Sequence, residues 1–409
     1  MSVAEQPKAV ERGAEIVTAA LRVIVHEGID GVRSQRVADE AGVSVALPHY
    51  YYPTLDDLVR AVWERIDAEQ AERDATLLGT AAAPVERLRA FVRDAFAGST
   101  TEVRERWMAR TEFQRRAVFD IELGDAVRAA ERRRLAALAA AVAEARAAGD
   151  IATGVDAELI AGRIAGAIDG FGVMLLVGLV SPEAATAELD ALVDGSGRWR
   201  SPRRLAVPAV PPQPVDAEPD RRTLILDAAI GLIAREGIAG LHFPEVAEAA
   251  GVSRSLPRYY YRTLDDLLRA VFERDAEVAR RRVEWRAEHI DDPLERLRDA
   301  YAHAIVADPE GVRPSWVLWF EQLRIAARDP SARRRASTRL ADWIAYDTAI
   351  LRELRRVGTI GADVDIDGAE QRLIAIDNGA GALWMLGVLS AQRYGEIVDA
   401  AVDDELGLS

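Results

Sequence analysis

Arg254, Arg258 and Arg262 stand at four-residue steps in "AGVSRSLPRYYYRTLDDLLRAVFER", which runs from Ala250 to Arg274. A guanidinium can fork onto the edge of a guanine or clamp a phosphate. Nearly the same segment occurs 209 residues earlier, "AGVSVALPHYYYPTLDDLVRAVWER" from Ala41 to Arg65, with 19 of 25 positions identical. There the three arginine positions hold Val45, His49 and Pro53. Valine offers only apolar contact, such as to a thymine methyl. Histidine is mostly neutral at pH 7 if its pKa lies near ~6.5. One chain thus holds a basic and a nearly neutral version of one segment.

Such side chains need a rigid element to present them, and the local pattern supplies one. In "VADEAGVSVALPHYYY", Ala38 is small where two helices cross, Gly42 allows a turn, Val43 plugs the gap and Ser44 suits the N-cap of the next helix. This is helix-turn-helix logic, and the second helix would lie in a DNA major groove with its N-terminal side chains on base edges. "EAAGVSRSLPRYYY" repeats the pattern. The alternative is a plain helical hairpin with an aromatic core strip. Upstream, "AEIVTAALRVIVHEG" puts Ile16, Ala20, Val23 and Ile24 on one face and stops at Gly28; "RTLILDAAIGLIAREG" does the same before Gly237. A short helix, Ser34 to Gly42, precedes the turn.

The duplication extends well past the quoted segments. Gly28, Gly42, Pro84, Trp107, Glu112, Gly149, Gly170, Gly172 and Ser181 all return 209 residues later. A constant offset means a whole multi-helix unit was copied almost without gaps. β-branched alternation is nearly absent, so the expectation is an all-α chain of nine or so helices per copy. The expected domains are 1–65 and 220–274 (helix-turn-helix), 66–194 and 275–409 (helical, for ligand and dimerisation), and a proline-rich linker over 195–219. At ~3.1 Å per residue that linker could span roughly 75 Å.

Composition narrows the rest. The chain has 409 residues, 49% of them apolar, and no cysteine, which excludes disulfides, thiolate metal sites and thiol catalysis. A net charge of −15 is not the footprint of a protein that coats nucleic acid indiscriminately, but counterion release depends on local charge and a compact patch remains allowed. The start has no apolar signal core, and the most apolar run, Ala165 to Val180, is short and holds Asp169. A buried helix is expected there rather than a membrane span, and the protein is expected in the cytoplasm. The five histidines make no metal-ligand spacing, and no phosphate loop or nucleophile elbow occurs. Neither an enzyme nor a cofactor is expected.

On "EGIDGVRSQRVADEAGVSVALPHYYYPTLDDLVRAV" and "EGIAGLHFPEVAEAAGVSRSLPRYYYRTLDDLLRAV", each copy resembles the TetR/AcrR family of bacterial transcription regulators. The resemblance implies three DNA-binding helices, then a helical domain that senses a small apolar or amphipathic effector and forms a dimer interface. Two copies in one chain imply a covalent pseudo-dimer on a double-stranded DNA operator, with repression the mode the resemblance implies; a homodimer of pseudo-dimers stays open. The last two long helices of each half, 157–194 and 367–403, would pack as one four-helix bundle.

The copies also depart from the family. Its phosphate-contacting threonine, tyrosine and lysine fall on Leu47 and Leu256, on His49 and Arg258, and on Leu55 and Leu264, followed by Asp56-Asp57 and Asp265-Asp266. Those acids either weaken phosphate binding or cap the fourth helix. The candidate DNA contacts are Arg33, Gln35, Arg36, Ser44, Val45, His49 and Tyr50 in copy one, and His242, Ser253, Arg254, Ser255, Arg258, Tyr259 and Arg262 in copy two. Tyr51, Tyr52, Tyr260 and Tyr261 are expected in the three-helix core. Candidate ligand contacts are Trp107, Glu112, Phe113, Trp316, Trp319, Phe320, Glu321, Trp343 and Tyr346, set against the alternative of plain core. The rival function is a sensor or interaction protein of the same fold that has lost DNA binding.

Overall fold

Ile16, Ala20, Val23 and Ile24 are buried along one face of α1 (Glu5–Glu27), as their spacing predicts. The computed structural model describes residues 5–152, 154, 156–195, 199 and 219–408. Most of the expected linker, 196–198 and 200–218, therefore lies outside the described residues. Trp199, assigned to that linker, is buried, and the Arg163 guanidinium carbon sits 5.4 Å from its ring centroid.

Copy one continues through α2 (Ser34–Ala41), α3 (Ala46–Tyr51), α4 (Leu55–Leu78), α5 (Pro84–Asp94), α6 (Thr100–Ala117), α7 (Ile121–Ala148), α8 (Ala157–Val177) and α9 (Pro182–Asp194). Copy two repeats the order with α10 (Arg221–Glu236), α11 (Phe243–Ala249), α12 (Leu256–Tyr260), α13 (Leu264–His289), α14 (Pro293–Arg298), α15 (Ala304–Ala307), α16 (Pro309–Arg328), α17 (Pro330–Val357), α18 (Ile366–Met385) and α19 (Ala391–Leu406). Among the described residues no strand occurs, so the chain is all-α and duplicated. One difference breaks the match. Where α5 is a single helix, copy two has α14, a π-helical turn over Asp299–His303, and then α15.

The two copies meet backbone to backbone where α8 crosses α18. A methyl group on Gly170 would land on the Ala375 carbonyl, and one on Gly379 would land on the Gly166 carbonyl. Only residues without a side chain allow that approach. α9 packs on α18 and α19 on α8, which makes the four-helix arrangement expected from 157–194 and 367–403. Arg163 reaches across to Asp404 (2.6 Å) and Glu405 (2.7 Å), and its counterpart Arg372 pairs with Glu188 (2.6 Å) and Glu405 (2.9 Å). Removing one partner from such a buried pair costs about 3–5 kcal/mol, because the other charge is left stranded. Among the described residues α8 alone is long and apolar enough to cross a membrane, and it is buried in the chain.

Candidate nucleic-acid interface and ligand cavity

The turn between α2 and α3 forms as its sequence suggests. Gly42 takes φ +66°, which L side chains rarely adopt, and Val43 N–H donates to the Ala38 carbonyl at 3.0 Å. Copy two matches, with Gly251 at φ +64° and Val252 N–H on the Ala247 carbonyl at 3.0 Å. Ser44 is not the side-chain N-cap expected. α3 starts two residues later, and the Leu47 N–H that Ser44 Oγ would accept from binds the Ser44 carbonyl instead (3.0 Å).

The exposed faces of α3 and α12 carry the candidate contacts. Val45, His49 and Tyr50 are exposed in copy one; Ser253, Arg254, Ser255, Arg258, Tyr259 and Arg262 are exposed in copy two, as is His242 before α11. Copy one has its polar groups committed to neighbours. Arg33 donates to the Asp30 and Val32 carbonyls (both 2.8 Å), Arg36 pairs with Glu27, Gln35 bonds Asp39 (2.7 Å), and His49 Nε2 bonds Ser34 Oγ (2.7 Å). In copy two, Arg254, Arg258 and Arg262 make no ion pair among the described residues, and Arg258 rests 5.1 Å from the Phe243 ring centroid.

The acids after the tyrosine triplets are caps. Thr54 and Asp57 form a reciprocal capping box on α4, and Thr263 and Asp266 do the same on α13. The Thr54 hydrogen bonds hold the Asp57 carboxyl below its usual range. Tyr51, Tyr52 and Tyr261 pack toward the core, and Tyr261 accepts from Arg222 Nε at 3.1 Å. Tyr260 does not. It is 40% exposed, although its counterpart Tyr51 ends α3 at the same place and packs inward.

In the second helical domain a cavity of about 160 Å³ opens between α13, the π turn, α15, α16, α17, α18 and α19. An apolar engineered cavity of that size accepts a molecule like benzene. Trp316, Trp319 and Trp343 line it, as their helical spacing suggested; Phe320, Glu321 and Tyr346 do not. Trp319 is fixed by Nε1–H donating to Asn378 Oδ1 at 2.8 Å. Tyr301, Asp347, Asp377 and Tyr394 also line the cavity, none of them anticipated from sequence. The available signal was Glu370 and Asp377, two turns apart in the largely apolar run "EQRLIAIDNGAGALW".

These acids form a buried network. Tyr301 Oη donates to Glu370 (3.1 and 3.2 Å), and Tyr394 Oη donates to Asp377 Oδ1 (2.5 Å). Asp347 is buried with Oδ1 lacking any hydrogen-bond partner. Burial pushes Asp347 and Asp377 up to about 7 and Glu370 well above the carboxylate range. Among the described residues none of the three pairs with a cation. Arg286 and Arg339 also line the cavity but are matched by Asp299 (2.5 Å) and Asp275 (2.7 Å); Arg282 adds one positive charge against three acids.

Glu112, Phe113 and Glu321 serve elsewhere. Phe113 packs against Trp63, with centroids 5.3 Å apart. Glu112 Oε2 accepts from Ile29 N–H (3.4 Å) while Oε1 accepts from Arg328 of copy two (2.5 Å). Glu321 accepts from Arg115 of copy one at 3.1 Å. Both acids are buried, as expected, but they tie the copies together instead of facing a ligand. Trp107 is enclosed by Gly172 and Phe96. Among the described residues no cluster suits a metal ion.

The family model for the BetI-type transcriptional repressor C-terminal domain matches residues 84–198 and 293–407, and that for bacterial regulatory proteins of the tetR family matches 16–62 and 225–271. The chain is 29% identical over 87 residues to the HTH-type transcriptional regulator AcrR of Shigella flexneri and 33% identical over 88 residues to the HTH-type transcriptional regulator BetI of Brucella anthropi. Those stretches make up 21% and 22% of this chain, and the chain spans only 40% and 45% of these relatives' lengths. Among solved structures, a transcriptional regulator from Saccharomonospora viridis in complex with choline is 24% identical, with a TM-score of 0.42 over 45% of this chain and 96% of that one. A TetR transcription regulator from Haloarcula marismortui is 25% identical, with a TM-score of 0.41 over 46% of this chain and 98% of that one.

Proposed function

The chain belongs to the TetR family of bacterial regulatory proteins, with two N-terminal and two BetI-type C-terminal domains in one polypeptide, and from that premise we propose that it is an effector-responsive DNA-binding repressor working as a covalent pseudo-dimer. The observation that carries the reading is the α8–α18 crossing, an interface built within one chain that pairs two helix-turn-helix units. One chain then supplies both readers of an operator. Because α3 and α12 differ in charge, that operator is an imperfect inverted repeat.

The copy-two cavity supports an effector reading, and its chemistry favours a small organic cation. Tryptophan faces attract cations, and a buried carboxylate that no cation offsets is costly to ionise until one arrives. Leu55 and Leu264, in place of the family's lysine, favour the rival reading of a sensor that no longer binds DNA.

Selection of genomic fragments by the full chain, followed by sequencing and titration with light scattering, tests both. The expected result is salt-sensitive binding of a fragment carrying two unequal half-sites, with one chain per minimal site. A requirement for two chains on one pair of half-sites rules out the pseudo-dimer. No fragment retained at low salt favours the sensor reading.

A further inference from the structure

We propose that the chain has one effector site rather than two, because copy one keeps its own guanidinium, that of Arg110, where an effector cation would sit. The inference rests on reading the copy-two cavity as an effector site. The constant offset of 209 lets the two domains be compared position by position.

One wall is shared. Trp107 lies against Gly172 of α8 and Trp316 against Gly381 of α18, so each copy presents a tryptophan face at the same place. The space in front of that face differs. Copy two has Ala300 and Ile305, whereas copy one has Phe91 and Phe96, both buried. Phe96 stacks on Trp107, with centroids 5.5 Å apart and planes at 24°. Two phenyl rings thus fill volume that copy two leaves open.

A charge fills the remainder. Arg110 corresponds to Trp319. Its side chain is 18% exposed, and its guanidinium carbon lies 5.9 Å from the Trp107 centroid. Arg110 Nε and Nη2 donate to the two Asp169 oxygens at 3.1 and 3.0 Å, and Nη2 pairs with Glu131 at 2.8 Å. Gln114 completes the shell on Asp169 at 3.1 Å. This is a cation on a tryptophan face held by buried carboxylates.

Among the described residues, copy two offers the same two ingredients with no guanidinium on the Trp316 face: its Arg339 lies 5.5 Å from the Trp319 centroid instead and is already matched by Asp275. The acids have changed position: Asp169 and Glu131 correspond to Asn378 and Leu340, while Asp347 and Asp377 correspond to Leu138 and Ile168. Copy one's cation is covalently attached and cannot dissociate, so that half is blind to the effector. Only copy two changes state, and one effector serves two DNA readers.

The test is calorimetric titration of the full chain with tetramethylammonium, using tert-butanol as the neutral control, together with melting of Arg110→Ala. The expected stoichiometry is one tetramethylammonium per chain, lost in Trp316→Ala. Two sites per chain overturn the proposal. Arg110→Ala is expected to lower Tm on the order of 5 °C, with recovery in millimolar methylguanidinium but not in methylurea. If the variant does not fold, refolding yield with each additive is read instead. No recovery, or equal recovery with both, overturns self-occupancy. Recovery by methylguanidinium with no tetramethylammonium binding to the wild type leaves self-occupancy standing and removes the cation reading of copy two.

Discussion

At the residue scale the candidate DNA-facing helices of the two copies differ in chemistry. Arg254 and Arg258 are exposed and free of ion pairs among the described residues, whereas Val45 has no charge to offer and His49 is engaged with Ser34. A good arginine–guanine pair is worth about 1–3 kcal/mol of discrimination; a phosphate contact shows instead as a shallower salt slope. Arg254→Ala and Arg258→Ala are therefore expected to weaken operator binding more than Val45→Ala and His49→Ala. Titrations of the four variants on the natural operator and on each symmetrised version check this, and equal losses from both copies would show that the readers are equivalent. The acids of the cavity make a second expectation. Asp347 and Asp377 are raised to about 7 by burial, so the stability they contribute is fully present below their unfolded pKa and is lost as pH rises through about 7. A bound cation favours the ionised forms. Tetramethylammonium affinity should therefore rise as pH passes through about 7, on the order of tenfold for each acid that must ionise, with release of protons. Affinity that falls over that range would exclude these carboxylates as the cation's partners. The charged groups facing them are Arg286 and Arg282 on α13, Arg339 on α17 and Glu370 on α18, and the first and third are already neutralised.

At the scale of elements, much was legible because the sequence states each one twice. The helices around Gly42 and Gly251, the tyrosines of copy one and the tryptophan-bearing α16 and α17 follow from local spacing. What local spacing could not supply was set by packing between distant parts. The Ser44 cap fails because a backbone carbonyl takes its donor, and Tyr260 stays exposed while its counterpart Tyr51 packs inward. The π turn at Asp299–His303 breaks a helix whose counterpart is unbroken, and it brings Ala300 and Tyr301 to the cavity. The glycines Gly170 and Gly379 were visible as repeats, but their reason, the α8–α18 crossing, is tertiary. That crossing makes a direct expectation. Gly170→Ala forces a methyl onto a backbone carbonyl, which cannot move without parting the helices. Overpacking of this kind costs about 1–3 kcal/mol, more than the roughly 1 kcal/mol that alanine gains over glycine in a helix. Gly162→Ala, about two turns earlier on α8, meets only the side-chain end of Ile397 and is the matched control. Thermal melts should show a lower Tm for Gly170→Ala and little change for Gly162→Ala. The same small shift in both would mean that the crossing tolerates separation.

At the scale of the molecule, the cavity of copy two is joined to the helix-turn-helix unit of copy one. α16 carries Trp316 and Trp319 into the cavity and ends at Arg328. Arg328 Nε and Nη2 donate to the Val25 and Ile24 carbonyls at 3.0 and 2.8 Å, and Nη1 meets Glu112 at 2.5 Å. The last carbonyls of a helix lack partners inside it and carry its negative dipole end, so a guanidinium there is a favourable clasp on α1. The clasp is not returned. The residue in copy one that corresponds to Arg328 is Phe119, which lies beside Gly237 and offers no charge. A displacement of α16 by an effector is therefore expected to pull on the copy-one unit through hydrogen bonds, whereas it reaches the copy-two unit through α10–α16 packing. Coupling between sites commonly amounts to about 1–3 kcal/mol. Arg328→Met keeps most of the side-chain volume but removes the donors. It is expected to leave tetramethylammonium affinity nearly unchanged while reducing, by a factor of roughly five or more, the loss of operator affinity that tetramethylammonium causes. Phe119→Leu, at the matched position, should alter that loss far less. Effector affinity and operator affinity, each measured with and without the other ligand, give the coupling directly. Undiminished coupling in Arg328→Met would place the route from cavity to reader elsewhere, in the α8–α18 crossing that both halves share.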